Sequence, residues 1–154
     1  MSRPNPSSSP RIQVERELLN SPAFRALKSP NSVRVLLDLL AKRCWAETPG
    51  SKKRKKVWAF INNGEIEYTY KEAKGRGMSG TTFARALDEL IGHGFVDIEA
   101  TGAGVFELKT LYRISERWRK WGKDEFEVKK RPKKNRWAQG IGFQPGHRFY
   151  PPKS

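Results

Sequence analysis

The stretch from Thr69 to Gly92 constrains this chain more than any other, because it writes two helices and the break between them in capping chemistry. Thr69-Tyr70-Lys71-Glu72 has the capping-box form, in which hydroxyl and carboxylate each satisfy an amide that a helix start leaves open. A helix begun there stops near Gly75 or Gly77, since glycine readily takes the left-handed conformation that closes a helix. Ser79 caps a second helix, in which Phe83, Ala86, Leu87, Leu90 and Ile91 form one apolar stripe ending at Gly92. Two short helices joined by a tight glycine turn follow, and their stripe needs further elements to cover it.

Those elements are legible on both sides. Ser29-Pro30 reads as a cap with proline at the first helical position, and Val33, Leu36, Leu37, Leu40 and Cys44 recur at helical spacing, which predicts a helix over residues 30 to 45. A shorter turn from Pro22 to Leu27 precedes it, with Phe24 and Leu27 inward. Val57 to Ile61 is apolar and aromatic, Asn62-Asn63-Gly64 is a turn signature, and Glu65 to Tyr68 alternates, so a hairpin, or at least one strand, is expected. Phe95 to Glu99 alternates, Thr101-Gly102-Ala103-Gly104 breaks the pattern, and Val105 to Ile114 resumes it with Phe106, Leu108 and Tyr112. That is a second hairpin. Ser115 then caps a short amphipathic helix that puts Trp118 and Trp121 on one face. The class is α+β.

Charge separates the chain into parts. Its 154 residues carry 31 Lys and Arg against 16 Asp and Glu, and the run Lys52, Lys53, Arg54, Lys55, Lys56 together with the tail from 122 holds eleven of the fifteen excess positive charges. A nearly neutral body with basic appendages suits a polyanionic partner. The expected division is a flexible segment over 1 to 20, a domain over 21 to 121, and a basic tail over 122 to 154 whose Trp137, Phe143, Phe149 and Tyr150 suit docking or packing back on the body. One cysteine and two histidines, His93 and His147, cannot build a usual zinc site, so neither metal nor cofactor is expected. No stretch is long and apolar enough for a membrane span, and MSRPNPSSSP lacks a signal peptide's apolar region, so the expectation is a soluble intracellular protein without a membrane partner.

The element order helix, strand, helix, turn, helix, hairpin resembles the winged helix-turn-helix over residues 30 to 113. Ala73 and Gly77 stand four apart, as do the small helix residue and the turn glycine of that family, and Met78 and Phe83 resemble the apolar positions that lock its two helices. Glu72 and Arg76 occupy places where the family often has apolar residues. Ile66 to Glu72 and Thr82 to Glu99 look like winged-helix domains of phage and plasmid replication proteins and of bacterial regulators.

The resemblance implies a double-stranded DNA partner, with a role in transcription control or replication initiation at the nucleoid in the cytoplasm, or in the nucleus of a eukaryotic host. A major groove admits one helix, whose N-terminal residues meet base edges while nearby cations meet phosphate. Carried onto this chain, the helix start is Ser79, and the outward positions are Gly80, Thr81, Thr82, Arg85, Asp88 and Glu89. Arg85 suits a guanine; Thr81 and Thr82 suit phosphate or a thymine methyl. Lys71, Lys74 and Arg76 lie beside them, and Lys52 to Lys56 would add salt-sensitive phosphate contacts. Lys130, Arg131, Lys133, Lys134 and Arg136 would form a tail arm. The wing departs from arginine-tipped ones, since its tip is small and flanked by Glu99 and Glu107.

Rival readings stand beside these. Arg85 also reads as a solvated arginine paired with Asp88 or Glu89, and the lysine run as a solvated loop or a nuclear address. An RNA or single-strand binder, or a protein-interaction module docking a replication or transcription protein through the tail, are the alternative functions. A homodimer would form through the first helix or the Trp118 and Trp121 surface. Gly75-Arg76-Gly77-Met78-Ser79-Gly80 spells a dinucleotide fingerprint, but a helix rather than a strand leads into it and no further βαβ units follow. Cys44 reads as a buried thiol on the first helix, His93 as a helix-end residue, and no catalytic arrangement stands out, so a non-enzyme is expected.

Overall fold

The computed structural model describes residues 11–48, 54–101 and 109–132, which form helices around one core and two small antiparallel sheets. In chain order these are α1 (Arg16–Asn20), α2 (Pro22–Arg25), α3 (Pro30–Ala41), β1 (Trp45–Glu47), β2 (Trp58–Phe60), β3 (Ile66–Glu67), α4 (Tyr70–Gly75), α5 (Gly80–Gly92), β4 (Val96–Ala100) and β5 (Leu111–Ile114). A 3-10 turn over Arg117–Lys120 closes the series.

The capping hydroxyls act as the sequence foretells, whereas the Glu72 carboxylate of the expected capping box pairs with Lys42 and Arg76. Ser29 accepts from Asn31 ahead of Pro30, Thr69 from Glu72, and Ser79 from Thr82. Both long helices bury one stripe: α3 contributes Val35, Leu36 and Leu39, and α5 contributes Phe83, Leu87 and Leu90, packed against each other. Both helices of the central pair end in the same double hydrogen bond. After α4, Gly77 donates to Lys74 and Met78 to Ala73; after α5, Gly94 donates to Ile91 and Phe95 to Leu90. The left-handed residues are therefore Gly77 at φ +84° and Gly94 at φ +85°, one position past Arg76 and His93. Gly94 has a second constraint, since a Cβ there would lie 2.6 Å from the backbone nitrogen of Trp118.

Several expectations are corrected. The segment through residue 20 is not wholly flexible: α1 buries Leu18 in the core, and Val14 packs against it. Five residues with one inward apolar side chain carry no periodicity that a sequence reading can detect. The first helix stops at Ala41, so part-buried Cys44 lies beyond it, its amide donating to Asn62 Oδ1 at 2.8 Å. The hairpin expected between 57–61 and 65–68 does not form. Strand β2 pairs instead with β1, Trp45 opposite Phe60, while β3 joins the other sheet, whose order is β3-β5-β4. The reason lies in the two asparagines. Asn62 bonds Cys44 and the Lys42 carbonyl at 2.9 Å, and Asn63 exchanges two bonds with Ile114, so the turn that forms here, closed by Glu65 N–H to the Asn62 carbonyl at 2.9 Å, links two sheets rather than two strands of one.

The second hairpin is present as β4 and β5, and residues 102–108, Glu107 among them, lie outside the described residues. The helix expected after Ser115 is a 3-10 turn, in which Trp118 is 5% exposed within the core. That removes Trp118 from a dimer surface, as burial against α5 removes the apolar face of α3. Among the described residues, no helix is long and apolar enough to cross a membrane.

Candidate nucleic-acid interface

Helix α5 and its neighbour α4 carry most of the described candidate residues. Gly80, Thr81 and Arg85 are exposed along the outer side of α5, Ser79 is exposed at its cap, and Thr82 is half-buried. Ser79 Oγ donates to Thr82 Oγ1 at 2.9 Å, so these two hydroxyls hold the helix start as well as facing outward. Gly80 faces the Tyr70 ring, which stands edge-on to Phe83 with centroids 5.0 Å apart. This aromatic contact fixes the angle between α4 and α5 and hence the presentation of the exposed turn.

The two carboxylates beside Arg85 decide the electrostatics of this face. Glu89 turns inward to the start of α3, where it accepts from the Lys28 amide and, at 3.0 Å, from Ser32 Oγ. An anion at a helix N-terminus meets unpaired amides and the positive end of the helix dipole. Asp88 is held from outside by Arg131, with Nε to Oδ1 at 2.9 Å and Nη2 to Oδ2 at 3.2 Å. Both acids therefore have other partners, and among the described residues Arg85 makes no ion pair. Lys71 and Lys74 on α4 are exposed and, among the described residues, make none either.

Arg76 is placed differently from the expectation. Its guanidinium bonds Asp38 on α3 at 2.9 Å and Glu72 at 3.4 Å, while Lys42 reaches Glu72 at 2.7 Å and Tyr68 donates to Asp38 at 2.8 Å. Burial, and then the Asp38 carboxylate, raise the phenol pKa of Tyr68 above the ordinary range. The polar residues at 72 and 76 thus make an ion-pair network between α4 and α3 where an apolar contact would otherwise lock the helices. Arg76 is a structural cation first.

Beyond α5 the chain returns along the helix. Arg117, only 12% exposed in its side chain, donates to Asp97, to the Ile91 carbonyl at the end of α5, and to the Glu127 carbonyl at 2.7 Å. Burial opposes ionisation of Asp97, but the hydrogen bond and charge of Arg117 with the charge of Lys129 outweigh it and hold the carboxyl below its usual range. Lys129 then lies 3.7 Å from Asp97, and Arg131 reaches Asp88 and the Tyr70 hydroxyl. Contacts with the body therefore continue past residue 121 as far as Arg131. Sequence reasoning missed this strap because its polar residues show no apolar periodicity. The consecutive cations Lys129, Lys130 and Arg131 do not show in sequence which of them faces an acid.

The remaining candidates divide by place. Arg54, Lys55 and Lys56 are exposed beside the β1–β2 ribbon, with Lys56 3.7 Å from Glu47. Lys130 is exposed. Lys52, Lys53, Lys133, Lys134 and Arg136 lie outside the described residues, as do Trp137, Phe143, His147, Phe149 and Tyr150. His93 caps α5, its ring stacked on Trp121 at 5.3 Å and its Nδ1 2.8 Å from the Glu89 carbonyl. The glycine run 75–80 joins two helices, and among the described residues every strand pair is antiparallel. No protein-family model, no curated protein and no solved structure matches the chain.

Proposed function

We propose that this chain is a winged-helix protein that binds double-stranded DNA with sequence preference, inserting α5 into the major groove, in the service of transcription control or replication initiation. The sheet order β3-β5-β4, with β3 between the first long helix and the helix pair, supports the winged-helix assignment. The observation that carries the DNA reading is the disposal of charge on α5. Asp88 and Glu89 are each taken by partners off the helix, which leaves Arg85 exposed and, among the described residues, without an ion pair, as are Lys71 and Lys74 on α4. An exposed guanidinium on the second turn of a helix suits the two acceptors on the major-groove edge of guanine. Lys71, Lys74 and Arg54 to Lys56 suit phosphates, where binding releases counterions and weakens steeply with salt.

The test is selection from a random duplex library, followed by competition among the enriched duplex, a scrambled duplex, single-stranded DNA and structured RNA at two salt concentrations. An enriched motif whose preference is lost in Arg85→Ala is the expected result. Equal loss on enriched and scrambled duplexes would remove base reading from Arg85, and preferential binding of structured RNA would replace the DNA reading altogether.

A further inference from the structure

The segment from Glu127 to Pro132 is basic, yet it lies against two acids that a polyanion binder would be expected to shed. Arg131 uses three guanidinium nitrogens: Nε and Nη2 grip Asp88 as a fork, and Nη1 donates to the Tyr70 hydroxyl at 3.0 Å. Asp88 belongs to α5 and Tyr70 opens α4, so one side chain joins both helices of the proposed DNA face. The segment reaches this place already guided, by the Arg117 bond to the Glu127 carbonyl and by Lys129 beside Asp97. Prior tethering lowers the entropic cost of seating Arg131, because its approach to Asp88 is local. Val128, 69% exposed, and Lys130, also exposed, point away from the body between the gripping residues. The sequence beyond continues with Lys133, Lys134 and Arg136.

We propose that Glu127 to Pro132 is a latched arm of the nucleic-acid interface, in which Asp88 and Tyr70 act as positioning residues that seat Arg131, so that the neighbouring Lys130 is delivered to phosphate beside α5. This rests on the reading of α5 as the DNA-facing helix. The arm inverts the ordinary electrostatic expectation for Asp88. An unlatched carboxylate on a DNA-facing helix repels phosphate, so neutralising it strengthens binding. A latching carboxylate holds Lys130 in place, so neutralising it weakens binding.

The experiment is a double-mutant cycle on the full chain, using Asp88→Asn and Arg131→Gln, read by fluorescence anisotropy on the duplex enriched by selection across a salt series. Tryptic cleavage after Lys130, in the absence of nucleic acid, reports the latch directly. With Arg131 present, Asp88→Asn weakens duplex binding about three- to tenfold and flattens the logarithmic salt dependence by about 0.9 for each phosphate no longer neutralised. With Arg131→Gln in place, the same change strengthens binding. Cleavage after Lys130 quickens in either single variant and no further in the double. Tighter binding by Asp88→Asn in both backgrounds, or cleavage indifferent to Asp88, overturns the arm while leaving α5 as the reading helix. Absence of salt-dependent duplex binding by the unmodified chain overturns the α5 reading itself, and the arm with it.

Discussion

Two sets of cations share this molecule and differ in what surrounds them. Arg117, Arg76 and Arg131 each grip a carboxylate from another element: Arg117 joins the 3-10 turn to β4 and α5, Arg76 joins α4 to α3, and Arg131 joins the strap to α5. Arg85, Lys71, Lys74 and Lys130 are exposed and, among the described residues, hold no acid. The first set makes the body, and the second is the set that the proposed reading assigns to DNA. Net charge does not distinguish them, since each side chain carries the same unit positive charge. What differs is whether the fold brings an acid within reach.

The difference can be broken from either side. Removing Arg117 has the largest expected effect, because its partner Asp97 is only 14% exposed and is left without its main counter-charge. Arg117→Ala should lower unfolding free energy by about 2 to 4 kcal/mol in urea melts. Arg85→Ala should leave that melt within about 0.5 kcal/mol of the unmodified chain. It should instead cost about 1 to 3 kcal/mol of discrimination between enriched and scrambled duplexes.

Acid separates the sets by titration. The carboxyl of Asp97 titrates lower in the folded chain than in the unfolded one. Its contribution is therefore complete above the unfolded value near pH 4, and is lost as pH falls below that through the folded value. Melting temperature in the unmodified chain should drop over this interval. The drop should be smaller in Asp97→Asn, measured by circular dichroism.

Smaller effects sharpen the boundary. Arg76 is 43% exposed in its side chain, so Arg76→Ala should cost about 0.5 to 1 kcal/mol of stability, since water screens a half-exposed pair. A loss of duplex affinity as large as that of Lys74→Ala would move Arg76 into the second set. Replacing Lys71 and Lys74 together should change the melt least. It should reduce the logarithmic salt dependence by about 0.9 for each phosphate left without its cation, across all sequences alike.

Much of this arrangement is legible in the chain itself. The caps at Ser29, Thr69 and Ser79, the stripe from Phe83 to Ile91, and the alternation of residues 95–99 are local chemistry, and a local reading finds them. The strand 58–60 was legible as a strand but not by its partner, because Trp45–Glu47 is short and offers three residues of pattern. Helix α1 was illegible for the same reason. At the candidate site, the outward positions of α5 followed from helical geometry once the apolar stripe was known. The employment of Asp88, Glu89, Arg76 and Arg131 did not, since their partners on other elements lie 38 to 61 residues away in sequence.

By itself the sequence determined the secondary elements that announce themselves within a few residues, the α+β class, and the excess of positive charge. Capping hydroxyls, turn glycines and apolar periodicity act over one or two helical turns, so they are written where they act. Tertiary structure alone decided strand pairing, the packing of Leu18 and the seating of Arg131 against the body, and which cations have an acid to hold. Ion pairing and sheet register depend on distances in space, and those are set only when α3 and α5 have buried their stripes against each other.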